Sequence, residues 1–344
     1  MNGYGDPSLK VESGGEGKLL SRLDLEEHRQ WVLEKKSRAL ESKLTSIKEA
    51  VAKYVGEGSY LVLGGFGHVR SPMAAVYEII RQGKAGLDVN AHPGCHDIDL
   101  LAAAGCIRRV DRAYGGGHEV RGLSPAFRRA VEAGEIEVVE WSNAALAWRF
   151  KAAAMGLPFL PCRVMIGTDT FRHSAAKIVS CPFTGVKICL VPACYPDVAF
   201  IQVHRCDIYG NAQIDGTTVE DIDIARASRR VVLITEEIVA TDRIRDTPWR
   251  TTIPHYLVDA VVKIPWGAHP TNMPYLYYFD EEHIAEWLRM AKTVEGAQDY
   301  LGKYVRGVGG FNSYLELVGG ARKLSYLKRL ELYQVPLRTP WAEG

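Results

Sequence analysis

The residues best suited to chemistry lie in one run, Gly64-Gly65-Phe66-Gly67-His68-Val69-Arg70-Ser71-Pro72, directly after the apolar stretch Tyr60-Leu61-Val62-Leu63. Glycine turns leave backbone N–H groups exposed, and a helix starting at Ser71-Pro72 adds the positive end of its dipole. Together they suit a phosphate or a developing oxyanion. Two other stretches repeat the arrangement. Tyr114 is followed by Gly115-Gly116-Gly117, with Ser124-Pro125 opening a helix, and a strand over 136–139 leads to Trp141-Ser142-Asn143. In open α/β sheets ligands sit beyond the carboxyl ends of strands, where such helices begin. A glycine cluster also serves simply to close a tight turn. A dinucleotide-binding reading fails, because G-x-G-x-x-G is not matched and no acidic residue ends a second strand at the required place.

Further candidates lie downstream. His92-Pro93-Gly94-Cys95-His96-Asp97-Ile98-Asp99 offers several metal-ligand types, but zinc needs three or four ligands converging, and neighbours in sequence seldom do so. No second Cys/His cluster complements it. The expectation is a polar loop lining a cleft, with Asp97 or Asp99 capping a helix from about Leu100. Cys95 and His96 as a nucleophile pair is the weaker alternative. Glu236 and Glu237 follow the strand Val231-Val232-Leu233-Ile234-Thr235; capping and ion pairing at a strand end is favoured over paired catalysis. His269, in Gly267-Ala268-His269-Pro270, reads either as functional or as a hydrogen-bonded structural histidine.

The elements that must position these groups follow one grammar of apolar strand, tight turn and helix. Ser46-Ile47-Lys48-Glu49 has capping-box spacing and opens a helix ending near Gly56. Ser71 as N-cap with Pro72 at the first helical position predicts a helix over 73–82, closed by Gly83. A further helix runs from Ser124-Pro125 to about Gly134, and another follows Asn143 to Gly156. Strands are expected over 186–191, 198–203, 231–235 and 258–264, with one helix over 220–227 among them. Residues 280–304 read as helical, acidic at their start. Residues 1–17 are polar and Gly-rich, which predicts a loosely held tail, and 24–44 reads as a charged helix packed on a neighbouring surface or solvated. The expected fold is therefore α/β: an open, mainly parallel sheet with helices on both faces, and helical arms at both ends. Its divisions are 1–43, 44–279 and 280–344.

Bulk properties narrow the function. The chain has 344 residues, 47% hydrophobic and 24% charged, with formal net charge +1. Near-zero charge argues against nucleic acid or an anionic membrane as partner. No apolar run approaches the roughly 18–20 residues of a membrane span. Seven cysteines without a C-x-x-C pair suit free thiols in a reducing compartment, so a cytoplasmic protein is expected.

Five segments resemble the A-type chain of glutaconate CoA-transferase, within family I of the coenzyme A transferases. They are LVLGGFGHVRSPMAAVYEIIRQG (61–83), AAAMGLPFLP (152–161), DVAFIQVHRCDIYGNA (197–212), EDIDIARASRRVVLITEEI (220–238) and VDAVVKIPWGAHP (258–270). The likeness runs in one collinear order over about 44–279, and D-x-x-G-N at 207–211 is typical of the family. The resemblance implies an acyl-CoA:carboxylate CoA-transferase whose nucleophile is a glutamate of a B-type partner, set in Ser-Glu-Asn-Gly. No glutamate here stands in such a string. It further implies an A2B2 or larger assembly, CoA thioester as substrate, and no tightly bound cofactor or metal. The substrate cleft is then expected to be lined by Gly64, Gly65, Phe66, Gly67, Arg70, Ser71, His92, Gly116, Gly117, Ser142, Asn143 and His269. Arg70 would pair with the carboxylate of a dicarboxylic acid. Relatives that hydrolyse ring-opened steroid CoA esters carry an acidic residue where this chain has Asn143, which favours transfer over hydrolysis. A hydrolase or decarboxylase chain of the same fold is the alternative, and a non-catalytic binding partner a third. The His92–His96 loop and the segment 168–183 depart from the glutaconate pattern, which puts glutaconate itself in question. The stretch before 44 lies outside it.

Overall fold

Tyr60–Leu63 (β2) is buried along its whole length, as a central parallel strand must be, since both its faces are covered. The computed structural model describes residues 10–92, 94–114, 117–118 and 121–334. In it β2 lies among β3 (Leu87–Ala91), β4 (Ile107–Arg112), β7 (Glu137–Glu140), β11 (Val198–Cys206), β13 (Arg230–Ile238) and β14 (Ala260–Lys263). The order is β14-β13-β11-β2-β3-β4-β7, and every neighbouring pair is parallel. A short β12 (Ala212–Gln213) pairs antiparallel with β11. Two-residue strands β5 (Gly117–His118) and β6 (Gly122–Leu123) form a separate hairpin.

Side-chain alternation along the strands divides the apolar interior in two. Leu61, Leu63, Val89, Phe200 and Val232 face the helices Ile47–Tyr54, Met73–Arg81 and His96–Ala103. Tyr60, Val62, Ala199, Ile201 and Leu233 face the helix Asn143–Ala154 and a second sheet. That sheet was not expected. It is antiparallel and ordered β1-β9-β10-β8, from β1 (Val11–Gly14), β8 (Phe159–Cys162), β9 (Lys177–Ser180) and β10 (Lys187–Pro192). So a sheet, as well as helices, covers the second face.

The termini are bound in more firmly than their composition suggests. Residues 11–14 form an edge strand on β9, where a loosely held tail was expected; residues 1–9 lie outside the described residues. The charged stretch 24–44 is helical only over Leu25–Glu34. Just beyond, Lys36 is buried, 3.3 Å from Asp259, and donates to the carbonyls of Ser228 and Arg229. At the other end, Trp287, Tyr300 and Tyr314 join the core beneath the sheet. Helices there include Glu281–Met290, Val294–Leu301, Phe311–Leu317 and Gly320–Glu331, so the helical region runs well past 304.

The capping signals hold in one case and shift in another. Ser46 and Glu49 form the reciprocal capping box. Ser71 does not cap its helix: Pro72 occupies the N-cap position, and the Ser71 hydroxyl donates to the Gly67 carbonyl at 3.0 Å. Likewise the helix expected from Leu100 begins at His96. Asp97 accepts from the Cys95 and Ile98 amides, while Asp99 reaches away to the Phe127 amide and the Trp287 indole.

Candidate functional site

The order of the sheet places the glycine loop. From β2 the chain moves outward through β3, β4 and β7, and from β11 it moves the opposite way through β13 and β14. The two strands at the reversal are neighbours, and crevices beyond the carboxyl ends of such a pair are the usual ligand sites of open α/β sheets. The loop Gly64–Ser71 leaves β2 at this point.

Its conformation is fixed by backbone. Phe66 and Val69 exchange N–H···O bonds of 2.8 and 2.9 Å, closing a four-residue turn with Gly65 at φ 87° and Gly67 at φ 61°. A Cβ on Gly65 would stand 2.4 Å from the Val69 carbonyl oxygen, and one on Gly64 would stand 2.5 Å from Asp221 Oδ1. Three amides expected to face an oxyanion are already bonded. Gly64 donates to the Phe200 carbonyl, Gly65 to Asp221 and Phe66 to Val69. What the loop presents instead is side chains, those of Phe66 and His68.

A second loop, after β12, locks the first. Asp221 accepts the Gly65 amide at 2.9 Å and lies 2.6 Å from Arg70 Nη1, both side chains wholly buried. Arg70 also donates to the Thr217 carbonyl at 2.8 Å. Arg70 was expected to reach a substrate carboxylate; its guanidinium is turned inward and joins the two loops. Two residues here hold left-handed backbone, Arg70 at φ 57° and the β-branched Val219 at φ 45°. Such strain persists only where surrounding contacts enforce it.

Beside this clasp, His92 at the end of β3 pairs through Nδ1 with Glu220, both side chains buried. Phe66 packs edge-on to the His92 ring at 5.5 Å. Burial pushes the Glu220 carboxyl up and His92 pulls it down, with a net rise. Against the loop lies a cavity of about 270 Å³ lined by Phe66, His68, Val69, His118, Arg121, Asn272, Tyr278, Phe279, Glu281 and Ile284. His68 Nε2 and His118 Nδ1 are 2.9 Å apart. Burial, helped by His68 and Arg121, pushes His118 down to about 3. Arg121 is ion-paired with Glu281. Sequence reasoning missed most of these lining residues, because they come from stretches far apart in the chain that only the parallel sheet brings together.

The other expected residues are dispersed. Ser142 caps its helix by accepting from the Ala145 amide at 3.2 Å, and exposed Asn143 accepts from the Tyr114 amide at 2.9 Å. Gly117 sits in the small hairpin opposite Leu123, and Gly116 lies outside the described residues. His269 is fully buried and does not line the cavity; it is held by the Tyr314 hydroxyl at 2.8 Å and Asp280 at 3.2 Å. Burial alone would raise Asp280, but His269 and Lys323 bring it down to about 2. Glu236 accepts from the Tyr277 hydroxyl, the Gln202 amide and the Trp266 N–H at 2.6–2.7 Å. Burial raises it to about 7 against those donors. Among the described residues no group of three or more His, Cys, Asp or Glu is placed to hold a metal ion, and no helix is long and apolar enough to cross a membrane.

A glycine loop at the strand reversal, on a parallel sheet of this order, makes the chain an open α/β protein, a class whose ligand sites usually lie at such reversals. Residues 44–264 match the family described as Coenzyme A transferase, and the chain belongs to that family. It is 32% identical over 301 residues to the A-type chain of glutaconate CoA-transferase from Acidaminococcus fermentans, covering 83% of this chain and 94% of that one. The crystal structure of that enzyme superposes with a TM-score of 0.81, over 88% of this chain and 100% of the other, at 31% identity. An uncharacterized protein of Archaeoglobus fulgidus is 56% identical over 334 residues, 97% of this chain and 75% of that one. The decarboxylase AibA/AibB superposes with a TM-score of 0.68 at 34% identity, over 76% of this chain and 99% of that one.

Proposed function

We propose that this chain is the A-type half of an acyl-CoA:carboxylate CoA-transferase whose nucleophilic glutamate comes from a B-type partner. The observation that carries the reading is the glycine loop leaving β2 at the β2/β11 reversal, with a cavity against it, in a chain collinear with the A-type chain of glutaconate CoA-transferase. The absence of any Ser-Glu-Asn-Gly string agrees with a nucleophile supplied from outside. In the proposed reaction the partner's carboxylate attacks the acyl-CoA carbonyl, giving a mixed anhydride and CoA thiolate. The thiolate then attacks the glutamyl carbonyl, releasing the acyl carboxylate and leaving a glutamyl–CoA thioester. An incoming acid reverses the sequence.

A carboxylate is a weak nucleophile, so the protein must position the thioester and stabilise the tetrahedral oxyanion. This chain's contribution is the rigid clasp Gly65–Asp221–Arg70, which fixes the Phe66–Val69 turn against the cavity. The buried His92–Glu220 pair lies just behind Phe66 and packs against its ring. The test is CoA exchange between acetyl-CoA and a panel of carboxylic acids, run with this chain alone and then with its B-type partner. Exchange in the pair alone supports the reading. Release of free CoA without transfer to any acid replaces it with hydrolysis.

A further inference from the structure

The walls of the cavity beside the glycine loop are largely apolar, from Phe66, Val69, Phe279 and Ile284. Among the described residues its charged lining groups are Arg121 and Glu281, and these face each other in an ion pair. The His68–His118 pair adds no fixed charge on the His118 side, since burial beside His68 and Arg121 keeps that ring neutral. The glycine loop's own guanidinium, Arg70, is closed off by Asp221. The cavity is thus small, apolar and electrically balanced.

We infer that this cavity takes the acyl chain of the substrate and selects chains that carry no second charge, so that short aliphatic or aromatic monocarboxylic groups are accepted and dicarboxylic ones are disfavoured. The inference rests on the transferase reading above. A distal carboxylate entering here would give up part of its water and find Arg121, with 28% of its side chain exposed, already paired with Glu281, and a desolvated charge without a partner is costly. An uncharged chain meets no such penalty and gains from the apolar walls. At about 270 Å³ the cavity has room for a few carbons or one ring.

The test uses the complex with the B-type partner and compares kcat/KM for transfer to butyrate, isovalerate and benzoate with that for succinate and glutarate. The monocarboxylic acids are expected to lead by at least about tenfold. Glutarate used as well as butyrate overturns the inference while leaving the transferase reading intact. Transfer to no acid at all overturns both. A second arm uses Glu281→Gln, which releases Arg121 within the cavity. The KM for glutarate is expected to fall by about fivefold or more, with butyrate little changed. An unaltered glutarate KM shows that Arg121 does not face the acyl chain and overturns the assignment.

Discussion

Arg70 and Asp221, far apart in sequence, meet at 2.6 Å with neither side chain open to solvent. This contact joins the loop after β2 to the first residue of the helix Asp221–Ala227, and it holds the turn that carries Phe66 and His68 to the cavity. Breaking a buried pair by removing one partner costs about 3–5 kcal/mol, because the other charge is left stranded. Arg70→Ala and Asp221→Ala are therefore each expected to lower unfolding free energy in urea by about that amount. Both variants should lose activity equally toward CoA and acid. A selective rise in KM for the acid, with stability unchanged, would mean that Arg70 serves substrate directly.

Gly65 is the second fixed point. It holds φ 87°, and a side chain would collide with the Val69 carbonyl. Gly65→Val is expected to cut turnover by about tenfold or more, because it displaces the turn carrying Phe66. Assembly with the partner, followed by gel filtration, should survive. Full activity in that variant would remove the loop from the mechanism.

The helix Ile47–Tyr54 offers a local test of how the core begins. Ser46 accepts the Glu49 amide at 3.2 Å, and the Glu49 carboxylate accepts the Ser46 amide at 3.1 Å. Ser46→Ala should cost about 1 kcal/mol. Denaturation midpoints read this directly, and no change would show that tertiary packing alone holds the helix.

Several of these features are visible in the chain itself, for identifiable reasons. β2, β11 and most of β13 are apolar, and the Ser46 capping box is local, so the parallel core can be read from residue type and spacing. β3 and β4 are hidden because they carry charges at their ends and centres. Asp88 holds Arg108 and Arg109, while buried Asp111 collects the Tyr60 hydroxyl, the Trp141 indole and Arg149. Such networks make a strand look polar, and nothing local announces the partner. The same reason hides the cavity. Its loop is evident, but His118, Asn272 and Phe279 reach it only through the fold, and the inward turn of Arg70 depends on Asp221.

Glu236 gives a prediction in pH. Burial raises it to about 7, so the folded protein binds a proton that the unfolded chain releases near pH 4.5. Wherever the folded state holds the extra proton, stability falls as pH rises. This contribution is thus complete below about 4.5, declines between 4.5 and 7, and is lost above 7. Glu236→Gln should flatten the stability curve across that window relative to the parent chain. An identical pH dependence in both would show that the group titrates normally.

The central claim is that this chain shapes the cleft while a partner's glutamate carries CoA. The most direct measurement traps the intermediate: the complex is incubated with acyl-CoA, treated with borohydride, and both chains are digested and weighed. Reduction of a glutamyl–CoA thioester converts that carboxyl carbon to a primary alcohol, a mass change assignable to one peptide. The modified glutamate is expected in the B-type partner, formed only when acyl-CoA and both chains are present. A modified residue in this chain, or turnover with no trapped glutamate in either, would contradict it.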